Sequence, residues 1–170
     1  PGRPRGSRPE CNLLKFPAPR WHSPDGGRYL GTGCAVITRD PEDDRINLGT
    51  YRCMVQGDNF ISVKLNKGKH GRLAMEKYHS KGKPCPIAIS FGHDPTLFVA
   101  ATTPLPPGIN EYEFTGWLRK EPVEVMMSKV TGLPLPAHAE IVAEGFSAGG
   151  GGKDPHVFLP ADGFDGFGLM

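Results

Sequence analysis

Alternation of apolar and polar residues predicts several short strands in the first half of the chain. Residues 34–39 are mostly apolar and β-branched, and they stop at an Asp-Pro pair, which predicts a strand and its end. Residues 47–56 alternate as a second strand, and residues 60–66 return as its partner. Residues 57–59 (Gly-Asp-Asn) form the expected turn, so this region predicts an antiparallel hairpin.

Helical signals alternate with strand signals from residue 71 onwards. Residues 71–80 lose the two-residue alternation and contain good helix formers, which predicts a helix. Residues 86–91 form an apolar run that is typical of a buried strand. Asp94 and Pro95 are the residue types preferred at the cap and the first position of a helix, so we expect a helix over 96–101.

The remaining half contains one further helix and weaker strand signals. The prolines of 103–108 predict a rigid linker, after which Asn110 is the expected cap of a helix that runs to Lys120. We expect Tyr112, Trp117 and Leu118 to form the packed side of that helix. Strands are predicted over 123–130 and 139–143, with the proline-rich segment 133–136 extended or at a sheet edge.

Differences in composition predict one folded domain between two irregular ends. Residues 1–33 are rich in proline, glycine and arginine, and they predict an extended N-terminal arm. Residues 34–145 contain all of the predicted strands and helices. Residues 146–170 include a glycine run and cannot bury enough apolar surface to offset the entropy lost on ordering, so we expect a disordered tail.

Composition and charge narrow the class of protein. A length of 170 residues fits one domain, and 23 glycines and 18 prolines fit many turns between short elements. The net charge is +2 and only the first twenty residues are locally basic, which does not favour nucleic-acid binding. No apolar run approaches the ~18 residues that span a bilayer, and no secretory signal is visible, so we expect no integral membrane segment.

The cysteines stand at four isolated positions: Cys11, Cys34, Cys53 and Cys85. None lies in a Cys-x-x-Cys motif, so zinc-ribbon and thioredoxin-type sites are not indicated. Free buried thiols in a reducing compartment are the simpler interpretation. We therefore expect a cytoplasmic protein.

Two polar segments carry the residues whose side chains are best suited to ligand binding or catalysis. Asn47 and Arg52 lie on one segment, and Lys69 and His70 lie between two glycines on another. A carboxamide oxygen and an imidazole nitrogen, together with a nearby carboxylate, suit a hard divalent cation. The guanidinium of Arg52 offers a donor fork for a carboxylate or a phosphate. The two segments therefore predict half of a cofactor site.

Each of these residues also has a purely structural interpretation. Asn47 follows a charged loop and could be a turn residue, and Arg52 could lie on a solvated face of a sheet. His70 could be an ordinary surface histidine, and Glu111 could simply favour the N-terminal end of a helix dipole. The residues alone leave both interpretations open.

Six ordered blocks of sequence resemble the UbiD-like carboxy-lyases, the decarboxylases that use prenylated FMN. The blocks are Asn-x-Gly-x-Tyr-Arg at 47–52, Gly-Lys-His-Gly at 68–71, and the segments 86–95, 101–108, 111–119 and 135–145. The resemblance covers most of residues 12–145. Extended by Arg72, the second block is similar to the hydroxybenzoate and related aromatic-acid branch of the family.

The resemblance implies an α+β fold, a split β-barrel of the flavin-reductase type that binds FMN, with short flanking helices. It implies that Asn47, His70 and Glu111 hold a divalent metal, Mn²⁺ or Mg²⁺, that bridges to the cofactor phosphate, with K⁺ nearby. The residues implied to line the prenylated FMN are Asn47, Gly49, Thr50, Tyr51, Arg52, Lys69 and His70. Arg52 matches the arginine that orients the substrate carboxylate beside the flavin ring, which is a catalytic role.

The activity that the resemblance implies is non-oxidative decarboxylation, or the reverse carboxylation, of an aromatic or α,β-unsaturated acid. The cofactor would be the electron sink, and the protein would supply a carboxylate clamp, a dry pocket and a proton donor. A flavin prenyltransferase would supply the cofactor. The full-length form would be a homo-oligomer.

The chain departs from the family at the proton donor. Family members carry two glutamates shortly after the equivalent of Glu144-Gly145, whereas here no glutamate follows Glu144, and Asp162 and Asp165 differ in length and spacing. The N-terminal region and the C-terminal domain of the family are also missing, as expected for a truncated, frameshifted or split enzyme.

Two other functions remain as alternatives. One is a non-catalytic flavin- or nucleotide-binding subunit, or a remnant, that needs a partner for its acid/base residues. The other is a plain FMN-dependent reductase, which is not favoured because no Gly-x-Gly-x-x-Gly fingerprint follows a strand.

Overall fold

The computed structural model describes residues 12–106, 108–147 and 156–160. This part of the chain mixes strands with short helices, which confirms the α+β class. The strands, β1 to β10 in chain order, are Arg28–Gly31, Ala35–Arg39, Ile46–Gly49, Cys53–Val55, Phe60–Lys64, Pro86–Phe91, Val125–Met127, Pro134–Pro136, Ile141–Phe146 and His156–Pro160. The α-helices, α1 to α3, are His70–Ser80, Pro95–Thr102 and Glu111–Arg119, and Leu13–Lys15 form a 3-10 turn.

Two four-stranded antiparallel sheets form the body of the described structure. One has the strand order β1-β4-β5-β10, and the other has the order β3-β2-β6-β9. A separate two-stranded ribbon pairs β7 with β8. Neither four-stranded sheet closes into a barrel within the described residues, so the split barrel stays a prediction.

The core consists of two apolar clusters, one on each side of the β2–β6 region. The first joins the two sheets through residues such as Val36, Val63 and Ile89, all of which are buried. The second lies between the β3-β2-β6-β9 sheet and α2, with Ile37, Leu48, Leu97, Leu133 and Leu135 among its members. Because β2 and β6 alternate residues between the two clusters, both strands are buried on both faces.

The predicted hairpin and the first two helices are confirmed. β4 pairs with β5 in antiparallel register, with Met54 opposite Ser62. α1 covers the predicted range, and the chain leaves it at Gly82, which has a positive φ of 67° that suits glycine. Asp94 caps α2 by accepting hydrogen bonds from the backbone N–H groups of Thr96 and Leu97.

The single strand expected over 47–56 is wrong. β3 ends at Gly49 and pairs with β2, whereas β4 begins at Cys53 and pairs with β1 and β5 in the other sheet. Between the two strands, the ring of Tyr51 folds back over Gly49, and a Cβ at position 49 would lie 2.6 Å from that ring. The alternation of apolar and polar residues over 47–56 therefore does not mark one strand, because residues 50–52 connect a strand of one sheet to a strand of the other.

The packed side expected for α3 is partly wrong. Tyr112 is packed against the second core cluster, and its hydroxyl donates a hydrogen bond to the carbonyl oxygen of Pro134 (2.7 Å). Trp117 and Leu118 are instead 72% and 40% exposed. The helix turns Glu111 and Thr115 inward, two positions that share one face because they are four residues apart.

Other regions differ in extent from the prediction. The strand expected over 123–130 is only the three exposed residues of β7, and the strand expected over 139–143 extends to Phe146 as β9. β1 lies within the stretch expected to be an extended arm, and β10 lies within the stretch expected to be a disordered tail. The thiols of Cys34, Cys53 and Cys85 are free and buried as predicted, and Cys11 lies outside the described residues.

Candidate functional site

A cavity of about 410 Å³ lies where β3, the start of α1 and the start of α3 converge. Seven of the eight predicted site residues line it: Asn47, Gly49, Thr50, Tyr51, Lys69, His70 and Glu111. They come from segments that are far apart in sequence, and the sheet and the two helix N-termini bring them together. Arg52 does not line this cavity.

Asn47 is placed by the register of β3 on β2. It lies opposite Thr38, and its side-chain nitrogen approaches the Thr38 hydroxyl oxygen at 3.5 Å. The residue is only partly buried, so its carboxamide borders the cavity rather than the core. The next residue, Leu48, is buried in the second core cluster and fixes the strand.

Glu111 is held at the cavity by the cap of α3. Asn110 and Glu113 form a reciprocal capping box, so the helix begins at Glu111. The Glu111 side chain is buried, and its Oε2 accepts a hydrogen bond from the backbone N–H of Leu48 (2.9 Å). Burial raises the pKa of this carboxyl, while the hydrogen bond from Leu48 opposes the shift. The carboxylate is therefore costly to bury alone, which suits a site that binds a cation.

The N-terminus of α1 faces the same cavity. The chain enters the helix through Gly68, whose φ is +82°, and Lys69 occupies the cap position without a side-chain cap hydrogen bond. His70 is the first helical residue, and both Lys69 and His70 are exposed at the cavity wall. Backbone N–H groups at a helix start, together with an ammonium group, are well suited to a phosphate.

Tyr51 closes one side of the cavity. Its ring packs over Gly49, and its hydroxyl is close to the Gly71 backbone and the Asn47 side chain. Burial raises the pKa of the Tyr51 hydroxyl, which therefore stays protonated near neutral pH. The tyrosine thus connects two elements, β3 with Asn47 and Gly49, and the start of α1.

Arg52 opens to a different cavity of about 360 Å³. Trp21, His22, Asp25, Tyr29 and Thr32 line that cavity with it. The side chain is exposed, and among the described residues it takes part in no ion pair. The structure therefore separates Arg52 from the other candidate residues, although it directly follows Tyr51 in sequence.

Sequence reasoning missed the opposite wall of the first cavity. Ala101 to Pro106 and Ile109 line it, whereas the sequence predicts only the end of a helix and a rigid linker here. The signal was present, because 101–108 is one of the blocks that carry the family resemblance. A proline-rich segment has few unpaired N–H groups and a restricted backbone, which suits a preformed wall.

No group of three or more histidine, cysteine, aspartate or glutamate side chains is clustered for metal binding within the described residues. The Asn47, His70 and Glu111 set contributes only two residues of those types, and its third donor is a carboxamide. One carboxylate, one imidazole and one amide oxygen form a donor set that fits Mg²⁺ or Mn²⁺. The buried carboxylate of Glu111 supports that fit because, among the described side chains, none forms a close ion pair with it, and the charges of His70 and Arg45 only partly oppose the effect of burial on its pKa.

Comparison with protein families identifies the domain that holds this cavity. Residues 5–151 match the family described as "UbiD: 3-octaprenyl-4-hydroxybenzoate carboxy-lyase Rift-related domain". The chain belongs to the UbiD family. This confirms the resemblance, and the matched span contains every residue that lines the two cavities.

Similar proteins and solved structures support the assignment of this chain to the UbiD family. Pyrrole-2-carboxylic acid decarboxylase of Pseudomonas aeruginosa is 35% identical over 136 residues, which are 80% of this chain and 27% of the relative. HmfF of Pelotomaculum thermopropionicum, solved in complex with prFMN, has a TM-score of 0.75 at 31% identity and covers 80% of this chain and 32% of its own. Vanillic acid decarboxylase of Sedimentibacter hydroxybenzoicus has a TM-score of 0.75 at 35% identity, over 80% of this chain and 30% of its own.

This UbiD chain spans less than a third of the length of these relatives, which fits the central domain alone. The relatives named are carboxy-lyases or a UbiD-class enzyme. No helix in the described part of the chain is long and apolar enough to cross a membrane.

Proposed function

We propose that this chain is the cofactor-holding domain of a carboxy-lyase that uses prenylated FMN to decarboxylate an aromatic or α,β-unsaturated acid. The observation that carries the proposal is the single cavity that gathers Asn47, His70 and Glu111 from three separate elements. HmfF, which is similar over most of this chain, was solved with prFMN bound. The split-barrel description of the two sheets belongs to the same proposal.

The donor groups of the cavity divide naturally between a metal and a phosphate. Asn47, His70 and Glu111 would hold Mn²⁺ or Mg²⁺, with K⁺ close by, and Lys69 with the start of α1 would bind the phosphate. Gly49, Thr50 and Tyr51 would line the flavin. Gly49 leaves room for the Tyr51 ring that closes one side of the cavity, and Thr50 adds a hydroxyl to the wall.

The cofactor, when bound, supplies the electron sink that decarboxylation requires. The protein must also hold the substrate carboxylate, and Arg52 offers an exposed guanidinium for this. Release of neutral CO₂ is favoured where water is excluded, which the adjoining walls at Tyr51 and Pro104–Pro106 support. The proposal assigns no proton donor for the product: among the described residues that line the two cavities, Glu111 is the buried carboxyl, and it is assigned to the metal.

The proposal extends to the cellular setting. A flavin prenyltransferase would deliver the cofactor, the full-length protein would be a homo-oligomer, and the compartment would be the cytoplasm. The free buried thiols of Cys34, Cys53 and Cys85 support a reducing compartment.

Reconstitution tests the cofactor claim directly. The 170-residue chain would be co-expressed with a flavin prenyltransferase, and flavin absorbance and bound manganese would be measured after purification. We expect both in the unaltered chain, and loss of manganese in Glu111→Gln. Glu124→Gln is the control, because Glu124 is exposed and does not line the cavity. Purified chain with neither flavin nor manganese would contradict the proposal.

A further inference from the structure

Two buried thiols lie in contact behind the wall of the larger cavity, the one proposed to hold the cofactor. The sulfurs of Cys34 and Cys53 are 3.5 Å apart, and both residues are fully buried. Both thiols are free, and neither lines that cavity. Cys85, also free and buried, instead has its sulfur 3.5 Å from the carbonyl oxygen of Pro86. The close pair is therefore the place to look for thiol chemistry.

A disulfide between the two side chains requires only a local movement. Bonded sulfurs are about 2.0 Å apart, so the sulfurs of Cys34 and Cys53 must approach each other by about 1.5 Å. Cys34 directly precedes β2, and Cys53 is the first residue of β4. Because β2 and β4 belong to different sheets, the disulfide would tie the two sheets together on either side of residues 50–52.

An edge strand covers the thiols. β1 lies at the edge of its sheet, and within the described residues it pairs with β4 alone. Its register is irregular between Tyr29 and Gly31, and a Cβ at position 31 would lie 2.5 Å from Cys34 Sγ. The backbone of β1 therefore packs directly on the thiol. Edge segments open locally at a lower free energy than the core, so a small oxidant reaches the pair without global unfolding.

The reduced pair is the resting state. The hydrogen bond with Cys34, together with burial, raises the pKa of Cys53 well above its usual value. A thiol that stays protonated is a poor nucleophile, so the pair is unreactive while β1 covers it. Oxidation is therefore confined to the locally opened form and is slow.

Both thiols also contact one backbone group of the cavity wall. The carbonyl oxygen of Tyr51 lies 3.3 Å from Cys34 Sγ and 3.4 Å from Cys53 Sγ, and both thiols are donors to it. A disulfide has no S–H donor, so oxidation removes both of these hydrogen bonds. Because the Tyr51 ring packs over Gly49 and closes one side of the cavity, a shift of this peptide group reaches the cavity wall.

We propose that Cys34 and Cys53 form a modification site, a dithiol that hydrogen peroxide oxidises to a disulfide, and that the disulfide shifts the Tyr51 wall of the cavity. One thiol attacks the O–O bond, which gives a sulfenic acid and one water. The second thiol attacks that sulfur, which forms the S–S bond and releases the second water. The two thiols together lose two electrons, which reduce the peroxide. Only the consequence for the cofactor rests on the proposed function.

Peptide mapping tests the disulfide directly. The chain would be treated with hydrogen peroxide in a Cys11→Ser background, alkylated, and digested with trypsin without reductant. Trypsin places Cys34 in the peptide 29–39 and Cys53 in the peptide 53–64, each with a single cysteine. We expect one linked species, lighter than the sum of the two peptides by two hydrogen atoms, which dithiothreitol separates.

Serine variants show whether the pair is specific. Cys34→Ser and Cys53→Ser should each abolish the linked species. Cys85→Ser is the matched control and should keep it, because Cys85 is also a free buried thiol but forms no contact with the pair. A link between Cys85 and either member, or oxidised cysteines without any link, would overturn the modification site.

NMR measures the effect on the cavity wall. The carbonyl carbon of Tyr51 and the amide of Arg52 belong to one peptide group, so both signals should shift on oxidation and return after dithiothreitol. The amide of Gly49 should shift with them, because the Tyr51 ring packs over it. Peroxide should leave these signals unchanged in Cys53→Ser. A linked species without a shift at Tyr51 would overturn the coupling to the cavity.

Titration with FMN separates this proposal from the proposed function. After removal of the peroxide, we expect the oxidised chain to bind FMN about twofold to fivefold more weakly than the reduced chain, the ratio that a lost weak hydrogen bond supplies. Cys53→Ser should bind FMN equally before and after peroxide. A chain that binds no FMN in either state would contradict the proposed function, whereas the linked peptides and the Tyr51 signals would still decide the dithiol site. Equal FMN affinity of the oxidised and reduced chains would overturn the effect on the cavity.

Discussion

At the residue scale, Gly49 is a position of the cavity wall that has no room for a side chain. A Cβ there would lie 2.6 Å from Tyr51 Cε2 and 2.8 Å from its hydroxyl oxygen, so the tyrosine ring must move. We expect Gly49→Ala to lower the free energy of unfolding by about 1–3 kcal/mol, the usual cost of overpacking. Urea denaturation measures this, with Gly33→Ala as the control, because a Cβ there meets nothing closer than 3.8 Å. Equal stability of the two variants would contradict the close packing.

Single residues in the sequence identify this site only in part. Asn47, His70 and Glu111 each had an ordinary structural interpretation, and only the family resemblance grouped them. The structure brings them to one cavity because β3 and the starts of α1 and α3 converge there, a long-range arrangement that spacing does not encode. Glu111 is the instructive case, since an acidic residue at a helix start is expected on the surface, but this one is buried.

At the scale of elements, Asp94 serves both the start of α2 and its contact with α3. Its Oδ1 accepts the Thr96 and Leu97 N–H groups, and its Oδ2 is 3.0 Å from Arg119. Asp94→Ala should lower the free energy of unfolding by about 1 kcal/mol through loss of the cap. Loss of the ion pair should lower it by a further ~0.2–1 kcal/mol. Asp94→Asn keeps the cap and should lose only the smaller amount, whereas Arg119→Met also loses the ion pair with Glu121 and should lose up to about twice that amount. Thermal unfolding of the three variants checks this order, which an equal loss in Asn and Ala would contradict.

The junction of α1 with β6 and β9 should respond to pH through His79. Its Nε2 lies 2.8 Å from the Ser147 hydroxyl, which itself accepts the Cys85 N–H, so the Ser147 proton is directed to a neutral imidazole. Burial, with a smaller effect of Arg72, lowers the pKa of His79 below its ordinary 6.5. A lowered histidine pKa stabilises the fold above pH 6.5, and this contribution is lost as the pH falls through the folded-state pKa.

The measurement compares the unaltered chain with His79→Gln, which does not titrate. Denaturant midpoints at several pH values should show the unaltered chain losing more stability than the variant as the pH falls below 6.5. His138→Gln is the control, since His138 is an exposed histidine whose partner is Glu124 rather than a residue of this junction. Parallel curves for the unaltered chain and His79→Gln would rule out this contribution.

At the scale of the whole molecule, the sequence predicted local elements better than their assembly. The hairpin of β4 and β5 and the helices α1 and α2 follow from turn residues, caps and helix formers, which act over a few neighbours. The division of 47–56 between two sheets was missed because alternation looks the same within one strand and across two. The exposure of Trp117 was missed for a related reason, since an apolar residue on a short helix does not indicate which face is covered.

The two four-stranded sheets pack around the first core cluster, and β10 is an edge strand of one of them. β5 lies between β4 and β10, and the Lys64 N–H and the Phe60 carbonyl oxygen both bond to the β4 side. Because backbone groups alternate along a strand, the N–H groups of Ser62 and Lys64 point to β4, and those of Ile61 and Val63 point to β10. Removal of residues 148–170 should therefore expose only the second pair.

Hydrogen exchange followed by NMR tests this arrangement. In the chain truncated after Ser147, we expect the amides of Ile61 and Val63 to exchange much faster than in the full chain, because they lose their partners in β10. Ser62 and Lys64 should keep their protection, since β4 remains, and they are an internal control on the same strand. Unchanged protection of Ile61 and Val63 would show that β10 does not pair with β5 in solution. Loss of protection at all four amides would show instead that the sheet needs β10 to fold.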